Sequence, residues 1–257
     1  DTVDPYKLNK EEEELTEKLK NSFQKSEKLQ KHVKFLILKG GIYLKYNSNL
    51  LYHACIPMEE NKEFKKIEIF GKFYYGKNFL DKIDMLIREY YLTENKPKKK
   101  FGSDFFWYLW CHKDSPLFGK DKMATFERYF IADKLTHKEI ENPYFAHRDK
   151  EKVCNMILEN FDLDITKSHI INGHMPVIVR KGESPIKANG KLLVIDGGLS
   201  KAYQKKTGIA GYTLIYNSYG LLLTTHGPFI STQEAIESGH DILTISEVVR
   251  KSDRKFV

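Results

Sequence analysis

Leu15, Leu19, Phe23, Leu29, Val33 and Leu36 recur at close to three-to-four spacing in a stretch otherwise dense in Glu and Lys. That period predicts one long amphipathic helix over residues 9–39. Asn9 and Glu12 have the spacing of a capping box, and Gly40 and Gly41 stop the helix. Two β-prone runs follow, 42–46 and 50–56, around the turn "NSN" and closed by Pro57. They predict a hairpin with His53 near the end of its second strand. Residues 65–76 read as another short hairpin, and Phe79, Leu80, Ile83, Leu86, Ile87 and Tyr90 share one face of a helix over 77–92. The polar stretch "TENKPKKKFG" reads as a loop leading into an aromatic helix and then a proline-containing loop rich in lysine. Helical patterns return at 123–132 and 147–160, where Val153, Met156 and Ile157 mark the apolar face. From 168 onward short strands are expected: "HIIN", "VIV", "KLLVID", "YTLIYN" and "LLLTTH", the last two joined as a hairpin by "SYG". Helices first and strands mostly later predict an α/β fold of mixed α+β layers, without repeats. Residues 1–257 read as a single region, because no Ser/Gly-rich linker divides them.

Composition narrows the class. With 257 residues, 41% hydrophobic and 30% charged, the chain has the make-up of a soluble globular protein. Its longest apolar runs, "FLIL" and "LLVI", fall far short of the roughly 20 residues of a membrane span. The chain opens on Asp, with neither an initiator Met nor the features of a secretion signal, as expected after processing or trimming. Cys55, Cys111 and Cys154 are distant from one another and odd in number, which argues against a disulfide framework and for a reducing cytoplasm. The net charge of +7 comes from lysines interleaved with acids, and only "KPKKK" at 96–100 is a dense basic run. No nucleic-acid reading module accompanies that charge. A phosphorylated small molecule is the expected anionic partner instead.

His53 in "HACIP" and His174 in "NGHMP" each end an apolar run just before a turn. That places both at a sheet edge, where a histidine from each of two strands can hold one metal ion. A lone histidine there more often hydrogen-bonds the backbone than binds a metal, and no close His, Asp or Glu spacing beside either residue points to ligation. The loop "RKGESPIKANGK" (180–191) brings Arg180, Lys181, Lys187 and Lys191 together with two glycines. Backbone amides and ammonium groups so arranged suit a phosphate, although an ordinary solvated loop has the same composition. The glycines of 197–212 lack the context of a dinucleotide fingerprint or P-loop, and GxSxG, HExxH and CxxC are all missing.

Residues 26–58, 107–131 and above all 169–229, with "HIINGHMPVIVRKGESPIKANGKLLVIDGGLSKAYQKKTGIAGY", resemble the C-terminal half of class III, Firmicutes-type fructose-1,6-bisphosphatases. The resemblance runs over nearly the whole chain. It implies the calcineurin-like metallophosphoesterase fold, a β-sandwich flanked by helices. It also implies manganese-dependent hydrolysis of the 1-phosphate of fructose 1,6-bisphosphate in gluconeogenesis. "YHACIP" and "NGHMP" are similar to two metal-ligating strand ends of that superfamily, which implies His53 and His174 as ligands in a dinuclear site. Such a metal pair polarises the phosphoryl group and activates the attacking water.

The superfamily's DxH, GDxxD and GNH[DE] segments, which supply the remaining ligands, the bridging Asp and the general acid, do not occur in these 257 residues. The resemblance therefore implies that no catalytic acid is in this chain, that its partner is the N-terminal half of the same enzyme, and that alone it has little or no activity. "LWCHKDSP" (109–116) is similar to a phosphate-contacting turn, which brings in Lys120, Lys122 and Arg128 as candidate cations. Arg180, Lys187 and Lys201 are the candidates for the remote phosphate and sugar, because a bisphosphate needs a second cationic pocket. A protein phosphatase and a non-catalytic regulatory or assembly module are the alternatives, and the sequence leaves homo-oligomer formation open.

Overall fold

The computed structural model describes residues 3–4, 7–228, 231–239 and 244–251. The capping box at its start forms as the sequence predicts, with Asn9 Oδ1 accepting from the Glu12 amide at 3.0 Å and Glu12 Oε2 from the Asn9 amide at 2.8 Å. The single helix expected over 9–39 is instead two, α1 (Lys10–Lys25) and α2 (Glu27–Lys39). Ser26 breaks it: its backbone is extended and its Oγ accepts from the Leu29 amide at 3.3 Å, so it caps a new helix.

The end of α2 is fastened by α3 (Gly76–Leu92). Arg88 donates to the carbonyls of Ile37 and Gly40 and is itself held by Asp84, 2.9 Å away. A cation thus meets the unpaired carbonyls and negative end of the helix dipole. The predicted face of α3 packs as expected: Phe79, Leu80, Ile83, Leu86 and Tyr90 are buried.

The main sheet has the order β1-β2-β5-β7-β6. Its strands are β1 (Tyr43–Tyr46), β2 (Asn49–Tyr52), β5 (His169–Asn172), β6 (Ile186–Lys187) and β7 (Leu192–Val194). Asn47 and Ser48, both at positive φ, close the β1–β2 hairpin as a two-residue turn matching strand twist. The middle strands β2, β5 and β7 run parallel, with Tyr52 beside Asn172 and Asn172 beside Val194. Their carboxyl ends therefore finish level with one another, and that edge is where parallel sheets build sites.

A second, antiparallel sheet has the order β10-β9-β8, from β8 (Gly211–Asn217), β9 (Gly220–His226) and β10 (Thr244–Lys251). Ile171 and Leu193 on one face of the main sheet meet Leu221 of the second, giving a two-sheet sandwich. The alternate residues Leu50, Ile170, Leu192 and Val194 face the other way, into the larger core with α3 and α7 (Glu151–Asn160). A small hairpin, β3 (Ile67–Ile69) and β4 (Lys72–Tyr74), matches its prediction.

Two further expectations fail for identifiable reasons. "KPKKK" is not a loop but the start of α4 (Lys96–Cys111), because Asn95 caps it by accepting from Lys98 and Pro97 fits the first turn. "VIV" forms no strand: Pro176 lacks an amide donor, and Val179–Lys181 turn in a 3-10 helix ended by Gly182 at φ 81°. The remaining helices are α5 (Thr125–Phe130), α6 (Tyr144–His147), α8 (Lys201–Thr207) and α9 (Thr232–Ser238).

Candidate metal centre

His53 follows β2 directly, and His174 lies two residues past β5. Strand pairing continues one step beyond the sheet, where the Gly173 amide donates to the His53 carbonyl at 3.0 Å. The next residue reverses the chain. His174 has φ 67°, and the Met175 amide donates to the Gly173 carbonyl at 2.8 Å, so His174 is the centre of a γ-turn. A non-glycine residue at this φ costs on the order of 1 kcal/mol or more, and such strain persists where the surroundings fix it. The turn swings the imidazole back over the sheet edge. His174 Nδ1 comes to 3.0 Å from His53 Nε2, with the rings edge to face at 70°.

Both imidazoles are held neutral. Burial lowers His174 to about 4, with the facing His53 and Lys120 acting in the same direction and the Phe118 carbonyl and Asp196 opposing. Burial also lowers His53, against Asp196. Two donors at right angles on one ion, each about 2.1 Å from it, lie about 3.0 Å apart. The observed pair therefore has the spacing of adjacent positions around a six-coordinate divalent ion such as manganese. Among the described residues, no group of three or more His, Cys, Asp or Glu is placed to hold a metal. By itself the pair is short of a full ligand set.

Beneath the pair is a buried polar network that the sequence reading missed. Asn172 Nδ2 donates to the carbonyls of Tyr52, His53 and Ala54, at 3.3, 2.9 and 3.0 Å. Its Oδ1 accepts from Arg148 Nη1 at 2.7 Å and from the Tyr144 hydroxyl at 3.2 Å, and Tyr144 in turn meets Tyr52 at 2.7 Å. Burial pushes both phenols well up, so they stay protonated donors. The Arg148 guanidinium covers the Phe145 ring, while its buried Nε has no hydrogen-bond partner among the described residues and lies 3.8 Å from Asp149 Oδ1. Asp196, two residues past β7 on the same edge, has a charge that both histidines feel, and its Oδ1 accepts from the Gly198 amide. The acid ending "VID" before two glycines is a sequence signal of the same kind as the histidines.

Of the six candidate cations, Lys120, Arg128 and Lys187 are paired with carboxylates. The end of "LWCHKDSP" packs against Cys55, two residues past His53, where the Cys55 amide donates to the Pro116 carbonyl and its thiol to the Ser115 carbonyl. Gly119, at φ 66°, lies so close that a Cβ would sit 2.9 Å from Cys55 Sγ. This packing brings Lys120 within electrostatic reach of His174, though its ammonium also pairs with Glu139 at 3.0 Å. Arg128 meets the same Glu139 at 3.1 Å, and Lys122 donates to the Thr136 carbonyl. Lys187 is opposite Leu192 at the start of β7 and pairs with Asp149 at 2.6 Å, so it is engaged away from the histidines. Arg180 is exposed and lays its stem over Gly208, and Lys201 is exposed at the start of α8. The 180–191 loop is tied to the start of α7 by Lys187 pairing with Asp149 and Asn189 donating to Glu151.

Both histidines line an open, mainly apolar cleft of about 590 Å³ whose walls include residues of α2, α3 and α4. Among the described residues, no helix is long and apolar enough to cross a membrane.

A family model for Firmicute fructose-1,6-bisphosphatase matches residues 1–257. The class 3 fructose-1,6-bisphosphatase of Clostridium botulinum (strain Hall) is 59% identical over 259 residues, covering 100% of this chain and 39% of the relative. That of Clostridium tetani is 58% identical over 253 residues, covering 98% of this chain and 38% of the relative. The chain spans about two fifths of the length of the curated relatives it matches. No solved structure matches it.

Proposed function

Because the chain belongs to the Firmicute fructose-1,6-bisphosphatase family, we propose that it supplies one side of a metal-dependent centre that removes the 1-phosphate of fructose 1,6-bisphosphate. The observation that carries this reading is the 3.0 Å approach of two neutral histidines at the ends of adjacent parallel strands. The fold would be the metallophosphoesterase sandwich, and the two packed sheets support that. Manganese is the metal we favour. When bound, it supplies charge neutralisation at the phosphoryl oxygens and activation of water.

This chain's own part is to present ligands and hold them still. His53 Nε2 and His174 Nδ1 are the donors, and their lowered pKa keeps them unprotonated at neutral pH. Asn172 fixes the backbone on either side of His53, and the His174 γ-turn fixes the other ring. Lys120 is the cation best placed to feel an incoming phosphate, while Arg180 and Lys201 remain candidates for the second phosphate. The general acid and the other ligands would come from the part of the family's chain outside these residues. The three free cysteines suit work in the reducing cytoplasm, as a step of gluconeogenesis.

The test is phosphate release with manganese from fructose 1,6-bisphosphate. A polypeptide of full family length carrying this chain should yield fructose 6-phosphate, and the 257-residue chain alone should yield almost none. Equal turnover by the two, or a preference for phosphoproteins in the long form, would overturn the reading.

A further inference from the structure

The face that carries the histidines also carries apolar surface that nothing among the described residues covers. Leu36 of α2 is 67% exposed, Trp110 of α4 is 70% exposed and Met123 before α5 is 60% exposed, and all three line the cleft that His53 and His174 also line. Val33 and Ile37 continue the α2 wall, and Leu117 continues the opposite side. A continuous apolar cleft of about 590 Å³ is more than scattered surface hydrophobics and marks an interface or ligand groove. The C-terminal end of the α2 wall is tied down, because Arg88, held by Asp84 of α3, donates to the Ile37 and Gly40 carbonyls. Water would be expelled from such a cleft at a gain of roughly 25 cal/mol for each Å² covered.

We infer that this cleft is the docking groove for the part of the family's chain that these 257 residues do not span, and that the same seating delivers the missing metal ligands to His53 and His174. The inference rests on the metal-centre reading above. Two observations choose the occupant. The relatives are 39% covered by this chain, so a larger remainder exists in them to be seated. The two histidine donors, short of a full ligand set among the described residues, face into the same cleft, so whatever completes the set must enter beside its apolar walls. A segment that is apolar along α2 and α4 and carboxylate-bearing at the histidine end satisfies both demands at once.

The test uses a polypeptide of full family length carrying this chain, with the photo-crosslinking residue benzoylphenylalanine at position 36, at 110, or at the exposed control position 73 in β4. Irradiation followed by peptide mass spectrometry should join 36 and 110, within one polypeptide, to peptides outside the matched region, and should not do so from 73. Leu36→Glu with Trp110→Glu should weaken manganese binding at least tenfold while leaving the protein folded by circular dichroism. Crosslinks between two polypeptides, which would make the groove a dimer face, overturn the inference, as do crosslinks confined to this chain or no adduct at all. Correct crosslinks with no phosphatase activity would instead sink the proposed function and leave the docking groove standing.

Discussion

Asn172 at the end of β5 holds the His53 carbonyl at 2.9 Å from across the sheet, and with its other side-chain atom it receives Arg148 at 2.7 Å. One amide thereby ties the backbone of a proposed metal ligand to a buried guanidinium. Asn172→Leu, which keeps the volume, leaves the carbonyls of residues 52–54 and the Arg148 fork without this partner. A buried unsatisfied group costs about 1–3 kcal/mol. Urea denaturation should show a loss in that range, with manganese affinity falling as well. A change in affinity without any loss of stability would mean that Asn172 does not act through the backbone.

Arg148→Met tests the other end of the same bond. It removes a buried charge whose Nε has no hydrogen bond but leaves Asn172 Oδ1 with Tyr144 alone. Removing a poorly paired buried ion offsets part of the lost hydrogen bond, so the loss should stay under about 2 kcal/mol and below that of Asn172→Leu. Chemical denaturation of the two variants side by side settles the order.

The pH dependence follows from the depressed histidine. His174 titrates near 4 in the folded chain against 6.5 unfolded, so between these values the unfolded chain binds the proton and the folded chain does not. Its contribution to stability is whole above about pH 6.5 and is lost as the pH falls toward 4. In the metal-free protein, the His174 ring protons should titrate close to 4 by NMR. His174→Asn should flatten part of the acid-side slope of stability, and an ordinary midpoint near 6.5 would show that the ring is not held as described.

Arg88→Gln should loosen α2. The substitution removes donors to the carbonyls of Ile37 and Gly40, a loss of about 1 kcal/mol at this partly exposed position. Hydrogen exchange measured by mass spectrometry should speed up across residues 33–40 and stay unchanged in β5 and β7.

The legible parts of this protein were those whose signal is local. His53 and His174 each close an apolar strand before a turn, and pairing of β2 with β5 then brings them together. The faces of α3 and α7 could be read from their period. The break at Ser26 was readable in principle, since Phe23 and Leu29 are six residues apart, a step that does not fit the helical period, but the overall periodicity masked it. Arg148 was not legible: it contacts Asn172 from 24 residues away, and nothing beside it in sequence marks a buried arginine. In the loop at 180–191, composition counts cations without revealing which are already paired, as Lys187 is with Asp149.

The central claim is that His53 and His174 bind one metal ion together. Pulsed electron paramagnetic resonance of bound manganese in a polypeptide of full family length carrying this chain addresses it most directly, because it registers imidazole nitrogen on the metal independently of turnover. Two nitrogen couplings are predicted, one lost in His53→Ala, the other in His174→Ala, and both in the double variant. Manganese that binds with unchanged affinity and unchanged nitrogen couplings in the double variant would contradict the account.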